Sequence, residues 1–462
     1  MTATTVDGTS FDQLRVRLQA ELLTRMPELI ERLRWNREQI ETSQREGLRA
    51  LLACAIENSP FHRRRLSNLD PGRFDLPDLP GLPVMSKAEM MESLDDVFTD
   101  RRLNRGLVEQ ALAATATEPV PILGRYTALA SGGSSGRRGA FIYDLEATLG
   151  ATASQTRSLM ARLRALGGPV PPATTIGLVA AASPVHGSGS TVAWTAGNAS
   201  PIRITSIPAT LPFPEIVERL HALQPRVLAG YPSMLARLAT EQRAGRLRIA
   251  PTFVNSAGET LLPEVRAAIA KAFSAPIVDT FTSSEGLAGT TAPDDDALVF
   301  NSDLCIVELV DADNRPVAPG VASAKLLITN LYNRTQPLIR YELGDSFVRQ
   351  PDAPDHGHLR AKVRGRAEDV LHYGGVDIHP HVIRSALVKS PEILDYRVRQ
   401  TRRGIDLEAL AVASVNSDPL AEQLVQALAA AGLHNPAVSI RIVDHLERIP
   451  DTGKLRRFLP LP

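Results

Sequence analysis

Apolar residues recur at helical spacing over residues 11–64: Leu14, Leu18 and Leu22, then Leu48, Leu51, Leu52 and Ile56. Pro27 and Pro60 interrupt the pattern, which predicts two or three helices ending at Pro60. A proline-rich connector follows (Pro71, Pro77, Pro80, Pro83), then Ser86-Lys87-Ala88-Glu89, which suits a helix N-cap. Over residues 126–282 short apolar runs at 175–179, 226–228 and 276–278 alternate with helical patterns at 214–223, 233–244 and 263–273. That alternation predicts an α/β fold around a mostly parallel sheet with flanking helices. Residues 298–349 are strand-rich, with turn chemistry at 311–319, and are expected to form an antiparallel or barrel-like β subdomain. Beyond Arg366 short strands at 395–399, 410–413 and 439–443 flank a helical pattern at 420–431, the profile of a small α+β domain. The expected division is a large N-terminal domain over 1–365, with 1–115 as a helical lead-in, and a small C-terminal domain over 366–462. The boundary falls in the charged, strand-poor stretch 364–369.

Totals remove several function classes. The 462 residues carry 51 basic and 51 acidic side chains, so no net charge draws the chain to nucleic acid or to a membrane surface. The longest apolar run, near 176–185, is too short to span a bilayer, and residues 1–11 lack a signal-peptide pattern. Cys54 and Cys305 are too few for a disulfide scaffold and form no CxxC pair. The chain reads as cytoplasmic. Only six basic residues are lysine (87, 271, 325, 362, 389 and 454), so a lysine in this arginine-rich chain merits attention.

The stretch with the most evident chemistry is Ser131-Gly132-Gly133-Ser134-Ser135-Gly136-Arg137-Arg138-Gly139, between strand-like residues 125–129 and 140–143. Such a loop can turn backbone N–H groups and hydroxyls inward around a polyphosphate, or it can be a flexible linker. A Walker A loop needs a GK[ST] ending, which is missing here. A dinucleotide fingerprint opens a helix, whereas Phe141-Ile142-Tyr143 opens a strand. Gly132-x-Ser134-x-Gly136 also fits the nucleophile elbow of serine hydrolases, which gives an alternative of another class with Ser134 as nucleophile. The elbow also expects a helix after the turn.

Taken in order, the polar islands resemble those of the adenylate-forming superfamily (acyl-CoA synthetases, adenylation domains, luciferases), and most of all its phenylacetate-CoA ligase-like branch. The resemblance runs from about Leu48 to Lys454. Residues 51–66 and 82–89 are similar to the opening helices of that branch, and 131–138 to its phosphate loop. Phe281-Thr282-Ser283-Ser284-Glu285, Tyr341-Glu342-Leu343-Gly344-Asp345, Gly365-Arg366-Ala367-Glu368-Asp369 and Pro450-Asp451-Thr452-Gly453-Lys454 resemble its remaining motifs.

The resemblance implies a role for each. Ser131, Gly133, Ser134, Ser135, Gly136 and Arg137 would hold the β- and γ-phosphates of ATP. The family has lysine then proline where this chain has Arg137-Arg138, which keeps charge but changes donor geometry. Glu285 would bind Mg²⁺, Ser284 the α-phosphate within the Phe281-Thr282 segment, Asp345 the ribose diol, and Arg366 the nucleotide. Ser256-Ala257-Gly258-Glu259 would line the adenine. Lys454 would bridge the substrate carboxylate and α-phosphate. Simpler readings stand beside these: a helix N-terminal glutamate for Glu285, a turn aspartate for Asp345, a strand-to-helix turn for 256–259 and a solvated tail lysine for Lys454.

The small domain would be mobile about Glu368 and present Gly374-Gly375 to the pantetheine arm of coenzyme A; the same glycines suit a hairpin turn. His186 would close over the acyl group, with Tyr231, Ala181 and Phe281, beside Trp194 and Ser256, as the substrate pocket; hence an aromatic acid is expected. The implied activity is ATP- and Mg²⁺-dependent activation of a small carboxylic acid as acyl-adenylate, then transfer to coenzyme A. Alternatives are a carrier-protein thiol or an amine as acceptor, and a non-catalytic nucleotide-binding relative. Oligomeric state is open, a homodimer being one option. Five of the ten histidines (356, 358, 372, 379, 381) crowd the stretch before and after the hinge without zinc-ligand spacing, and are expected to be surface or hydrogen-bonding residues.

Overall fold

The computed structural model describes residues 9–131, 139–165, 174–197, 202–387, 390, 392–411 and 415–461. The chain opens with helices Phe11–Glu31 and Arg37–Asn58, whose first turns are closed by reciprocal side-chain caps from Ser10 with Gln13 and from Asn36 with Gln39. Pro27 does not end its helix, contrary to the pattern-based expectation; the helix runs through it to Glu31. Its missing N–H orphans the carbonyl of Leu23, a residue on the solvent side, where water can replace the lost donor. Pro60 does act as a boundary. It starts helix Pro60–Arg65, capped by Ser59.

The centre is a nine-stranded sheet. Its order is Asp345–Arg349, Arg360–Arg366, Leu298–Phe300, Ala288–Thr291, Ile277–Thr282, Phe253–Ala257, Val227–Gly230, Thr174–Ala180, Ile202–Pro208. The last five are parallel to one another and the first four join antiparallel, so the sheet is mixed. Period-two alternation sorts the parallel strands' side chains onto two faces. Val227, Ala229, Phe253 and Val278 pack with helices Phe11–Glu31 and Leu145–Ala165. Val179, Leu228, Val254 and Ile277 pack with helices Phe213–Leu223, Pro232–Arg243 and Pro263–Phe273. Burial on both faces explains why Thr174–Ala180 and Val227–Gly230 read as apolar runs in the sequence, while the edge strand Ile202–Pro208 keeps polar residues.

The β-rich stretch beyond residue 298 follows the antiparallel reading and not the barrel-like one. Cys305–Val310, Lys325–Asn330 and Tyr341–Leu343 form a three-stranded antiparallel sheet, and the flanking strands belong to the central sheet instead. No closed barrel forms among the described residues. The Tyr341 edge is taken by the lead-in chain: Met85 N–H donates to Arg340 O at 3.0 Å and Glu342 N–H to Met85 O at 2.9 Å.

Beyond Arg366, hairpin Leu371–Tyr373/Val376–Ile378 and helix Pro380–Leu387 precede a four-stranded sheet, ordered Ala437–Ile442, Gly404–Ala411, Ile393–Thr401, Phe458–Leu459. Helix Ser417–Ala430 buries Leu420, Leu424 and Leu428 in the same core as Val398 and Leu407. The tail strand Phe458–Leu459 lies parallel to Val398–Arg399. It anchors the chain four residues after Lys454. Among the described residues no helix is long and apolar enough to cross a membrane.

Candidate active site

Parallel strands point their C-terminal ends at one edge of a sheet, where backbone N–H groups and loop residues gather. Here that edge opens into a cavity of 240 Å³. Its mouth is formed by Ala181, Gly230, Ala257, Gly258, Thr282, Ser283 and Ser284 from the strand ends, with Thr452 and Lys454 from the tail. One wall is helix Leu145–Ala165, which presents Thr148, Thr152, Gln155, Thr156 and Leu159 at i, i+4, i+7, i+8 and i+11, a single helical face. The deep end is Ile176, Leu178, Val227 and Trp194. The cavity is therefore polar at its mouth and side and apolar at its floor. Thr148 and Thr156 donate to backbone carbonyls four residues back, and Thr191 lies 3.0 Å from Gln155 Oε1.

Lys454 is half-buried beside the Tyr231 ring, with Nζ 5.6 Å from its centroid. Gly258 has φ +82°, and a Cβ there would stand 2.9 Å from Tyr231 Cε1 and 3.4 Å from Lys454 Cε, so only glycine leaves room for this approach. Burial pushes the Lys454 amine down to about 8; the Arg366 cation adds to this, while Glu259 and Asp345 oppose it. These four charges thus share one neighbourhood, although they lie nearly 200 residues apart in sequence. Asp345 and Arg366 are register partners on adjacent strands, and Arg366 Nε donates to Asp345 Oδ1 at 3.0 Å.

Several expected site residues line the one cavity: Lys454, His186, Tyr231, Ala181, Ala257, Gly258, Thr282 and Ser284. The Tyr231 hydroxyl accepts from Ala181 N–H at 2.9 Å, which ties two pocket strands together. Ser284 O accepts from the Tyr143 hydroxyl at 2.7 Å. Glu285 lies just behind the lining, 4% exposed, and burial raises its carboxyl even with Lys87 nearby. Ser131 is half-buried and closes the neck of its loop: Gly139 N–H donates to Ser131 Oγ at 2.8 Å, and Ser131 N–H to Gly139 O at 2.9 Å. Gly133, Ser134, Ser135, Gly136 and Arg137, and with them the hydrolase alternative, lie outside the described residues.

Other candidates sit elsewhere. Phe281 was expected in the pocket, but its ring packs edge-on against Phe300 and Phe347, 6.1 and 5.4 Å away, and it does not line the cavity. Ser256 is buried and donates to Asp279 Oδ1 at 2.9 Å; burial lifts that carboxyl to about 6. The Glu259 carboxylate is engaged with Ser233 and with the tail. Gly374 and Gly375, at φ +52° and +103°, make the turn of the Leu371–Ile378 hairpin and do not line the cavity. Glu368 occupies the short 3₁₀ turn Ala367–Asp369, where the central sheet ends.

Partners of two of the crowded histidines, His358 and His372, show how such residues are held. His358 accepts from Ser302 N–H at Nδ1 and meets Arg32 O through Nε2 at 2.9 Å, which fixes a neutral tautomer. His372 pairs with Asp377 across the hairpin at 2.6 Å. Among the described residues no three His, Cys, Asp or Glu side chains gather to hold a metal ion. The polar stripe Thr148-Thr152-Gln155-Thr156 escaped the sequence reading. Its signal was four polar residues on one face of a helix that is otherwise packed into the fold.

No protein-family model matches the chain. It is 24% identical over 404 residues to the phenylacetate-coenzyme A ligase of Thermus thermophilus, an alignment that covers 84% of each chain. Among solved structures it is similar to 2-hydroxyisobutyryl-CoA ligase in the postadenylation state with 2-HIB-AMP, with a TM-score of 0.71 at 19% identity over 93% of this chain and 91% of that one. Against the same ligase with 2-HIB-AMP and CoA in the thioesterification state, the TM-score is 0.55 at 20% identity over the same shares.

Proposed function

We propose that this chain, a member of the adenylate-forming superfamily, uses ATP to activate a small carboxylic acid as an acyl-adenylate and passes the acyl group to coenzyme A. The observation that carries this reading is Lys454. A lone lysine from the chain's last loop reaches a cavity at the C-terminal edge of a parallel sheet, beside Asp345 and Arg366. In the first step a carboxylate oxygen attacks the α-phosphorus of ATP and pyrophosphate leaves. In the second a thiol attacks the acyl carbon and AMP leaves.

The chain's own task in the first step is to hold anions together and offset their charge. Protonated Lys454 meets the carboxylate and the α-phosphate at the cavity mouth, Ser284 donates to the α-phosphate, and Asp345 accepts from the ribose hydroxyls. The serine- and glycine-rich loop, from Ser131 on, holds the departing phosphates. Mg²⁺, when bound, neutralises phosphate charge. The buried Glu285 carboxyl, its charge uncompensated enough that burial raises its pKa, suits a cation and would be the residue to hold it. His186 and Tyr231 border the acyl group. Trp194 and the aliphatic floor fit a small apolar or aromatic body, while Gln155 and the threonines fit a hydrogen-bonding substituent on it.

For the second step residues 366–462 form a unit that turns about Glu368, withdraws Lys454 and brings Gly374-Gly375 to the pantetheine arm. This chemistry fits a cytoplasmic enzyme, where ATP and coenzyme A are at hand. The test is a panel of carboxylic acids in an ATP–pyrophosphate exchange assay, followed by coenzyme A consumption with the acids that score. Exchange with at least one acid, and thioester formation from it, is the expected result. Exchange without coenzyme A turnover would move the acceptor to a carrier-protein thiol or an amine. No exchange with any acid would end the reading.

A further inference from the structure

The loop that carries Lys454 is gripped from both sides. Glu259 follows the Gly258 turn at the end of strand Phe253–Ala257, and its side chain is 4% exposed. Its Oε1 accepts from Leu455 N–H at 2.8 Å and from the Ser233 hydroxyl at 3.1 Å; Oε2 accepts from Ser233 N–H at 3.2 Å. Arg448, 4.0 Å from Glu259 Oε1, donates from Nη1 to Ser233 Oγ at 2.9 Å and to Gly453 O at 3.0 Å. The residues before and after Lys454 are therefore both tethered, one directly to Glu259 and the other through Arg448. Within the loop, Ile449 N–H donates to Lys454 O at 2.9 Å and Lys454 N–H meets Thr452 Oγ1 at 3.3 Å. The lysine's amine itself is left to the cavity.

A carboxylate that already takes three N–H or O–H donors and faces a guanidinium has little capacity left for a ligand. Glu259 also does not line the cavity. Hence its expected role beside adenine does not account for its contacts. We infer that Glu259 is a positioning residue. Its carboxylate, with Ser233 and Arg448, latches the Lys454 loop to the parallel sheet for the adenylation step, and the latch must open before the thiol step. Charged hydrogen bonds of this kind are strong while made, yet their groups are readily rehydrated when parted, which suits a contact that opens on each turnover. The inference rests on the proposed function for its kinetic meaning, but the contact itself can be tested without turnover.

Two measurements on the full chain decide it. First, lysine acetylation by an N-hydroxysuccinimide ester, read by mass spectrometry, compares Lys454 with Lys271 and Lys362 as internal controls in wild type, Glu259→Ala and Glu259→Gln. Loss of the latch is expected to speed labelling of Lys454 by about threefold or more over both wild type and Glu259→Gln, which loses the same charge but keeps an acceptor, with the controls unchanged. Labelling of Glu259→Ala equal to that of wild type or of Glu259→Gln overturns the inference, and this holds whether or not any acid is turned over. Second, with an acid that the wild type activates, Glu259→Ala is expected to lower the exchange kcat by about tenfold or more with KM for ATP nearly unchanged. Thioester formation from supplied acyl-adenylate should fall far less, and Glu259→Gln, which keeps acceptor capacity for Leu455 and Ser233, should recover part of the loss. A raised KM for ATP at constant kcat would return Glu259 to the adenine, and an equal fall in both half-reactions would make it a merely structural residue; either overturns the latch. A wild type inactive toward every acid would sink the proposed function instead, leaving the labelling result to decide this point.

Discussion

Lys454 is the residue on which most depends, and its protonation is set by its surroundings. Burial and the Arg366 cation hold the amine down to about 8, against the pull of Glu259 and Asp345. A lysine with a lowered pKa loses its charge as pH rises through that lowered value, well before the usual 10.5. In the proposed mechanism adenylation uses the charged form, so the exchange rate is expected to fall on the alkaline side near pH 8. Arg366→Met removes a neighbouring cation and should shift that limb upward, whatever it does to the absolute rate. A pH profile of exchange in the two proteins checks the direction; a limb that stayed put would mean another group titrates. Asp279, lifted to about 6 behind Ser256, is a second group titrating near neutrality. Burial lifts Asp369, beside Arg366, to about 6 as well, so an acid limb near 6 that Asp279→Asn removes would belong to Asp279 and one that it leaves in place to Asp369.

At the scale of elements, helix Leu145–Ala165 joins the core on one side and lines the cavity on the other. On one side fully buried Arg157 donates to Asn301 Oδ1 at 2.8 Å, to Leu29 O at 3.1 Å and to Asp303 Oδ2 at 2.8 Å. It thereby joins this helix to the first helix and to the turn after strand Leu298–Phe300. Removing one partner strands the buried Asp303 charge, so Arg157→Met is expected to lower the unfolding free energy by about 3–5 kcal/mol, measured by urea titration. On the other side the helix shows Thr152, Gln155 and Thr156 to the cavity. Gln155→Leu removes the amide and should shift the acid preference toward analogues lacking a hydroxyl or amino substituent by about tenfold, measured as the ratio of kcat/KM for matched pairs. An unchanged ratio would assign the selection to the floor, where Trp194 and Leu178 lie.

At the scale of the whole molecule, the tail must reach across the central sheet edge, and the four-stranded sheet is what carries it there. The Phe458–Leu459 strand pins the chain just beyond Lys454, while Arg448 and Leu455 meet Ser233 and Glu259 from the other side. Lys454→Ala is expected to abolish pyrophosphate exchange yet leave thioester formation from supplied acyl-adenylate largely intact. Measuring the two half-reactions separately checks this. Equal loss of both would rule out a tail that serves one step and then withdraws.

Local pattern was enough for three of the five parallel strands, at 175–179, 226–228 and 276–278, whose apolar runs follow from burial on both sheet faces; it did not mark Ile202–Pro208 or Phe253–Ala257, which carry polar residues within the strand. It also singled out Lys454, a rare residue type in a proline- and glycine-rich loop, and the order of the polar motifs. It did not reach the partners of Glu259, because Leu455 lies 196 positions away and chain periodicity carries no information at that range. Nor could it turn Phe281 toward Phe300 and Phe347, or see that Met85 would take the edge a barrel needs, since those outcomes depend on which surfaces compete for the same face. The Thr148-to-Thr156 stripe carries no local mark of a site; only packing shows that it faces a cavity. Residue types and their spacing determined which chemistry the chain could hold. Tertiary structure decided which of those residues meet, because long-range contacts are chosen by shape and charge between elements rather than by neighbours in the chain.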